Sequence, residues 1–291
     1  MKGLGVAHGA VSIVNAISIG KGAALGICLK TTAEVKIERC RGKGVIVVGG
    51  ETSEDTTLAE MTVQEVLKRY GEGNFDVFIS TKSEIPVGRG LKSSSAASNA
   101  IVLASLAALD KKVDDLTAVN IGVDASLKAG VTITGAFDDA CASFFGGFVV
   151  TDNTKRKLIQ REKANDKLQI VIYVPTERTY TKDFDKNKIM PFKNNVAEAY
   201  KYALSGEYWK AMILNGDIHS SALGLTLQPS KDALRLGALG SGLSGTGPAV
   251  AAVCYQDEVE KISRKWREMP GEVIVTSINN SKAEGVCFSE G

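Results

Sequence analysis

Hydrophobic and polar positions change rhythm several times along the chain. From Glu34 to Cys40, Val35 and Ile37 alternate with charged neighbours, the two-residue period of a half-buried strand. Val45 to Val48 and Phe75 to Ser80 are β-branched or aromatic runs bounded by glycine and charge, and read as further strands. Between Ser94 and Leu109 alanine and leucine lie on all sides, which predicts a buried helix. Asp114 or Asp115 caps another helix that runs toward Lys128 and stops at Gly130.

A charged stretch, Thr151 to Asp166, then predicts a solvated hairpin or interdomain loop. Beyond it, Leu168 to Val174, Ala249 to Tyr255 and Glu272 to Ile278 read as strands; Asn195 to Leu204, Glu207 to Leu223 and Asp257 to Trp266 read as helices. Strands mixed with helices, without regular βαβ alternation, predict an α+β fold rather than a doubly wound one. At 291 residues the chain is long for a single domain. A boundary near residue 150 divides it into an N-terminal domain, 1–150, and a C-terminal domain, 151–291.

Three glycine-rich segments interrupt this pattern. In Pro86-Val87-Gly88-Arg89-Gly90-Leu91-Lys92-Ser93-Ser94-Ser95-Ala96, glycines that allow sharp turns and close approach lead straight into the long helix. The serines fall where a helix start leaves unpaired N–H groups at the positive end of its dipole, a site suited to phosphate. A hydroxyl in that turn can also reach a phosphate-bound Mg²⁺, and Lys92 adds a cation. The plain alternative is a serine N-cap on an ordinary helix. No G-x-x-x-x-G-K-[ST] occurs, which closes the Walker route to nucleotide binding. Gly240, Gly242 and Gly245 match G-x-G-x-x-G formally, but they precede a strand-like run and not a helix, the reverse of a dinucleotide fingerprint. The third segment, Thr134 to Gly147, reads as a small-residue turn carrying Asp138 and Asp139 in apolar surroundings. Adjacent carboxylates there are costly unless exposed or paired. They are a general base or metal ligand, or else a cap and its surface neighbour.

Composition narrows the function. Lys+Arg 35 against Asp+Glu 33 leaves a net charge of +2, too balanced for a nucleic-acid binder. Five scattered cysteines and two histidines form no zinc pattern and predict free thiols in a reducing compartment. No run is apolar enough for a membrane span and no signal-peptide pattern opens the chain, so a cytoplasmic protein is expected.

Together the three segments resemble the GHMP kinases, the small-molecule kinases that include galactokinase, homoserine kinase and mevalonate kinase. Their phosphate loop is similar to Pro86–Ala97, their middle segment to Thr134–Gly147, and their C-terminal glycine loop to Ser241–Pro248, in the same order. Within that superfamily, His8-Gly9-Ala10-Val11-Ser12-Ile13-Val14-Asn15-Ala16-Ile17 and Gly20-Lys21-Gly22-Ala23-Ala24 most resemble the archaeal shikimate kinases. Lys92 departs from the superfamily pattern, standing where most members have glycine.

The resemblance implies a two-domain GHMP fold with mixed and antiparallel sheets, ATP and Mg²⁺, and transfer of the γ-phosphoryl to the 3-hydroxyl of shikimate. Pro86, Gly88, Arg89, Gly90, Leu91, Lys92, Ser93, Ser95 and Ala96 then belong to the nucleotide loop. Ser94 holds Mg²⁺, with Asp124 as a second metal ligand. Asp139 takes the acceptor proton by its spacing from Gly146-Gly147; Asp138 fits as well counting from Gly135. Gly242, Ser244, Gly245 and Thr246 border the phosphates and acceptor. The acceptor carboxylate calls for a bidentate cation, for which Arg178 is the first choice over Lys21 and Lys182. Ser12 and Asn15 supply neutral acceptor contacts. Homoserine or mevalonate as acceptor, or a GHMP-fold binding protein without catalysis, are the rival readings. Retention of Asp138, Asp139, Ser94 and the glycines favours an enzyme.

Overall fold

The computed structural model describes residues 1–50, 56–132, 134–176 and 185–288. The chain opens with strands β1 (Lys2–Val14), β2 (Lys21–Cys40) and β3 (Ile46–Gly50), helix α1 (Thr57–Tyr70) and strand β4 (Asn74–Ser83). Helices α2 (Ser93–Ala108), α3 (Asp115–Lys128) and α4 (Phe137–Phe145) come next, then strands β5 (Phe148–Asp152), β6 (Lys157–Glu162) and β7 (Gln169–Pro175). Helices α5 (Lys193–Leu204), α6 (Tyr208–Leu223) and α7 (Gln228–Arg235) precede β8 (Gly240–Leu243) and β9 (Val250–Cys254). Helix α8 (Gln256–Trp266) and strands β10 (Gly271–Ser277) and β11 (Glu284–Phe288) complete it.

Two sheets organise these elements. The first runs β11-β1-β2-β4-β3, with β5 joined to the start of β2 and β6 to β5. Its β3–β4 pairing is parallel and its other described pairings are antiparallel. The second is antiparallel, in the order β10-β7-β9-β8. Residue 150, where a domain boundary is expected, lies inside β5, and β11 returns to the first sheet from the far end of the chain. The two layers are thus set by the sheets and not by one cut in sequence.

Burial along β1 explains how the layers meet. From Lys2 to Gly9 every second residue is buried, as in a strand with one covered face; from Gly9 to Val14 all are buried. Helix α2 covers the first stretch closely, because β1 offers glycine there. A Cβ at Gly5 would fall 2.0 Å from the Ala100 carbonyl oxygen. The later stretch joins a second core, in which Val11, Ile13 and Leu25 meet Ile170, Tyr200 and Met212 of the other layer. Apolar burial on this scale, at about 25 cal/mol per Å², holds the layers together. The end of β1 therefore sits where both layers and the start of α2 converge.

Most expected elements are present, with Asp114 as the cap of α3: its carboxylate accepts from Thr117 N–H at 3.0 Å. The charged stretch forms the β5–β6 hairpin. The segment from Thr134 to Gly147 is not a turn throughout but contains α4. Its buried stripe, Phe137, Ala140, Cys141, Phe144 and Phe145, has helical spacing, and that apolar face is what folds it. The five cysteines are free, and no described helix is long and apolar enough to cross a membrane.

Candidate active site

The loop between β4 and α2 makes three left-handed turns at alternate residues: Gly88 (φ 66°), Gly90 (φ 81°) and Lys92 (φ 68°). Gly90 is required on two counts, since a Cβ there would also fall 2.0 Å from the Ser244 carbonyl oxygen. Leu91 is fully buried and anchors the loop from below. Lys92 is the N-cap of α2 and makes no side-chain cap, and the first turn holds no acidic residue. The leading N–H groups, at Ser93 to Ser95, have no acceptor within the helix by its geometry. Ser93 and Ser94 are half-buried, whereas Ser95 and Ala96 are buried beneath them. Arg89 donates to the carbonyls of Pro175 (2.6 Å) and Thr176 (3.0 Å), tying the loop to the end of β7.

The loop between β8 and β9 packs directly on this turn. Ser244 Oγ donates to the Gly90 carbonyl at 2.8 Å, and Ala249 N–H reaches the Arg89 carbonyl at 3.2 Å. Gly245 N–H donates to Ser12 Oγ at 2.9 Å, while the Gly245 carbonyl accepts from Asn15 Nδ2 at 2.9 Å. Ser244, Gly245 and Thr246 thus lie beside the phosphate loop. Gly242 lies one step back in β8, with its added Cβ directed at the Met212 carbonyl oxygen of α6, 2.7 Å away.

Helix α4 brings the two carboxylates. Successive helix residues are about 100° apart around the axis, so adjacent side chains diverge. Asp138 turns inward, is 5% exposed, and accepts from Asn153 Nδ2 at 2.7 Å. Burial first, and the neighbouring Asp139 charge second, push its carboxyl up to about 7. Asp139 turns toward the glycine loops, where Lys92 Nζ lies 3.0 Å from its Oδ1. The Lys92 ammonium also donates to Ser12 Oγ at 2.8 Å. Lys92, expected as a phosphate contact, thus links the phosphate loop, β1 and α4 at one point.

Other expected residues fall elsewhere. Asp124, expected as a second metal ligand, is here an ion-pair partner: Arg69 holds its Oδ2 at 2.6 Å and Arg156 its Oδ1 at 2.7 Å. Both oxygens are committed to guanidinium groups. Ser12 and Asn15 are buried, and their hydrogen bonds are made within the protein. Arg178 and Lys182 lie outside the described residues. Lys21 is exposed at the start of β2, its ammonium 5.8 Å from the centre of the Tyr200 ring.

Three supporting residues were not foreseen. Asn153, in the hairpin turn, holds Asp138. Asn215 of α6 accepts from the Asn15 N–H at 2.9 Å. His219, a full turn further on, is buried, has Nδ1 2.9 Å from the Asn215 carbonyl oxygen, and is driven by burial down to about 4, so its ring is neutral. For Asn215 and His219 the available signal was a polar residue among the apolar positions of a helix; Asn153, in a charged turn, gave none.

Comparison with known proteins now adds the family. The N-terminal domain of GHMP kinases matches residues 57–147, and their C-terminal domain matches residues 230–271. The shikimate kinase of Pyrococcus furiosus is 46% identical over 280 residues, covering 95% of this chain and 99% of that one. The shikimate kinase of Methanosarcina acetivorans is 45% identical over 289 residues, covering 97% and 96%. In fold, the Methanococcus jannaschii mevalonate kinase superposes with a TM-score of 0.77 at 14% identity, over 95% of this chain and 98% of that one. The α+β architecture, the order of the glycine loops and near full-length identity agree, and the chain belongs to the GHMP kinases, among the archaeal shikimate kinases.

Proposed function

We propose that this protein transfers the γ-phosphoryl group of ATP to the 3-hydroxyl of shikimate, releasing ADP and shikimate 3-phosphate. The observation that carries the reading is the meeting of three glycine-flanked segments at Lys92, with Asp139 at 3.0 Å and Ser12 at 2.8 Å. The acceptor assignment is supported by the near full-length identity to archaeal shikimate kinases.

In this reading the N–H groups of the α2 start, with Gly88 and Gly90, receive the phosphates. Asp139 orients the acceptor hydroxyl and takes its proton as oxygen bonds to phosphorus and the bond to ADP breaks. Lys92 pairs directly with Asp139 and presents positive charge at the phosphate loop. Burial raises the Asp138 carboxyl to about 7, which favours its protonated form beside that pair.

Mg²⁺ fits this donor set as a companion of the nucleotide. Among the described residues no cluster of three or more histidine, cysteine or acidic side chains forms a metal site on its own. The half-buried Ser94 hydroxyl would supply one oxygen ligand and the phosphates most of the others. When bound, the ion would neutralise charge on the phosphate oxygens. The acceptor carboxylate falls to Arg178, on the chemistry of its guanidinium fork.

The test is an ADP-release assay with Mg²⁺, ATP and shikimate, homoserine or mevalonate, with the product identified by mass. Shikimate-dependent ADP release and a shikimate phosphate are expected. Phosphorylation of homoserine or mevalonate alone would move the acceptor, and no transfer to any of them would favour a binding protein. Arg178→Ala should raise the shikimate KM roughly 10- to 150-fold while leaving the ATP KM near its original value.

A further inference from the structure

Ser12 is expected from its sequence to touch the acceptor, but its surroundings assign it another task. We propose that Ser12 is a positioning residue: it holds the Lys92 ammonium on Asp139 and ties that ion pair to the loop between β8 and β9. The inference rests on the reading of Asp139 as the proton acceptor.

A serine hydroxyl has two lone pairs and one hydrogen. Both lone pairs of Ser12 Oγ face donors, Lys92 Nζ at 2.8 Å and Gly245 N–H at 2.9 Å. The residue is 3% exposed, and its own N–H is directed at Ser244 Oγ, 3.2 Å away. It has no acceptor capacity left for a substrate. What it does instead is restrict a flexible cation. Lysine carries about 2 kcal/mol of rotamer entropy on a four-carbon stem, so one contact leaves it many geometries.

At Lys92 two acceptors from different elements, Ser12 of β1 and Asp139 of α4, fix the ammonium from two directions. Its side chain is 5% exposed, so water offers little competition. Among the described residues these two account for two of its three N–H donors, which leaves one for a phosphate or acceptor oxygen. The joint is itself braced. Gly245 is gripped at its N–H by Ser12 and at its carbonyl by Asn15, and the Asn15 N–H is held by Asn215 of α6. A continuous polar path therefore runs from α6 through the end of β1 to Asp139. The path contains a residue from each glycine loop.

Kinetics separate positioning from acceptor contact. Ser12→Ala should lower kcat about 10- to 150-fold, the worth of one hydrogen bond to a charged group, with the KM for shikimate and for ATP little changed. Ser12→Thr, which keeps the hydroxyl, should recover most of the loss. In a Lys92→Ala background the Ser12→Ala effect should vanish, because the two changes remove the same interaction. If Ser12→Ala does not fold, Ser12→Cys carries the same cycle, since sulfur is a weak acceptor.

A raised shikimate KM with kcat retained would overturn the inference in favour of acceptor contact. So would full additivity with Lys92→Ala. Asp139→Asn, assayed in parallel, keeps the two readings apart: if it turns over normally, the proton-acceptor assignment fails, whatever Ser12 does. If it is inactive while Ser12→Ala is normal, the positioning role alone fails.

Discussion

Carboxylates on two helices of the first layer, Asp124 on α3 and Asp139 on α4, are similarly exposed and both face cations, but the cations differ in number and burial. Asp124 shares a partly exposed network with Arg69, Arg156, Glu65 and Lys128, in which side-chain exposure reaches 48%. Burial works against its charge, yet hydrogen bonds from Arg156 and Arg69 outweigh it and hold the carboxyl below the usual range. Among the described residues Asp139 has one cation, Lys92, whose side chain is 5% exposed. Redundant, solvated pairs are individually worth about 0–1 kcal/mol. A pair with a buried lysine and a single carboxylate has no second ion to take over, so removing Asp139 leaves the Lys92 ammonium only the neutral Ser12 hydroxyl among its described partners. Charge that can be spared stabilises a surface, and charge that cannot be spared is what the proposed reaction would draw on.

The largest effect separating the regions is expected at Asp139. Asp139→Asn keeps shape and removes the proposed proton acceptor, so turnover should fall roughly 10²–10⁴-fold while ATP binding, followed by titration calorimetry, persists. A dead Asp138→Asn beside a normal Asp139→Asn would reverse the assignment of the two carboxylates.

Lys92→Gly comes next and uses the departure from the superfamily loop. Glycine accepts the left-handed backbone at φ 68° without strain. Lys92→Gly should therefore be about 1 kcal/mol more stable than Lys92→Ala, with turnover in both down roughly 10- to 100-fold because Asp139 loses its partner. Denaturant unfolding and steady-state rates of the two variants check both halves. Equal stabilities would show that the backbone there carries no strain, and unimpaired turnover would detach Lys92 from the reaction.

A smaller effect concerns Asp138 and its pH dependence. Its carboxyl is raised from 3.8 to about 7 in the folded protein, by burial first and by Asp139 second. The folded state therefore binds the extra proton, and stability from this group is fully present below pH 3.8 and lost as pH rises through about 7. Asp138→Asn should lack that component. The stability of the original protein relative to Asp138→Asn, from unfolding curves at several pH values, should decline between about pH 4 and pH 7. A difference that stays flat, or rises with pH, would mean that Asp138 is charged in the folded state.

These contrasts also show why the chain was only partly legible. The phosphate loop was readable because its signal is local: glycines at alternate positions, then serines at a helix start. Helix α4 was hidden because it begins after a left-handed Ala136 and has no side-chain cap, although its stripe of Phe137, Ala140, Cys141, Phe144 and Phe145 was present. Choosing between Asp138 and Asp139 required knowing what other strands and loops deliver. Asn153 comes from a hairpin whose sequence reads as charged surface, and Lys92 from the loop before α2. Ser12 and Asn15 looked like ligand contacts because buried polar residues near glycine loops often are. In this structure both also meet a partner about 230 positions away, at Gly245. No local spacing carries that information. The surroundings of Asp124 were hidden for a related reason, since its two arginines come from α1 and from the β5–β6 turn.

The smallest effect is expected at Asp124 and sharpens the comparison from the other side. Asp124→Asn removes one carboxylate from a network that keeps Glu65 as partner for Arg69 and Lys128. Arg156 retains Asn120 Oδ1 at 3.3 Å, and the amide oxygen at position 124 can still accept from a guanidinium. The loss should therefore be no more than about 1 kcal/mol, and smaller in high salt, where exposed pairs are screened. Turnover and its dependence on Mg²⁺ concentration should not change if the two arginines keep Asp124, since both its oxygens face a guanidinium in this structure. The decisive measurement is an Mg²⁺ titration of activity in the variant beside the original protein. A raised Mg²⁺ requirement would return Asp124 to the metal site and show that its arginines give way when the nucleotide binds.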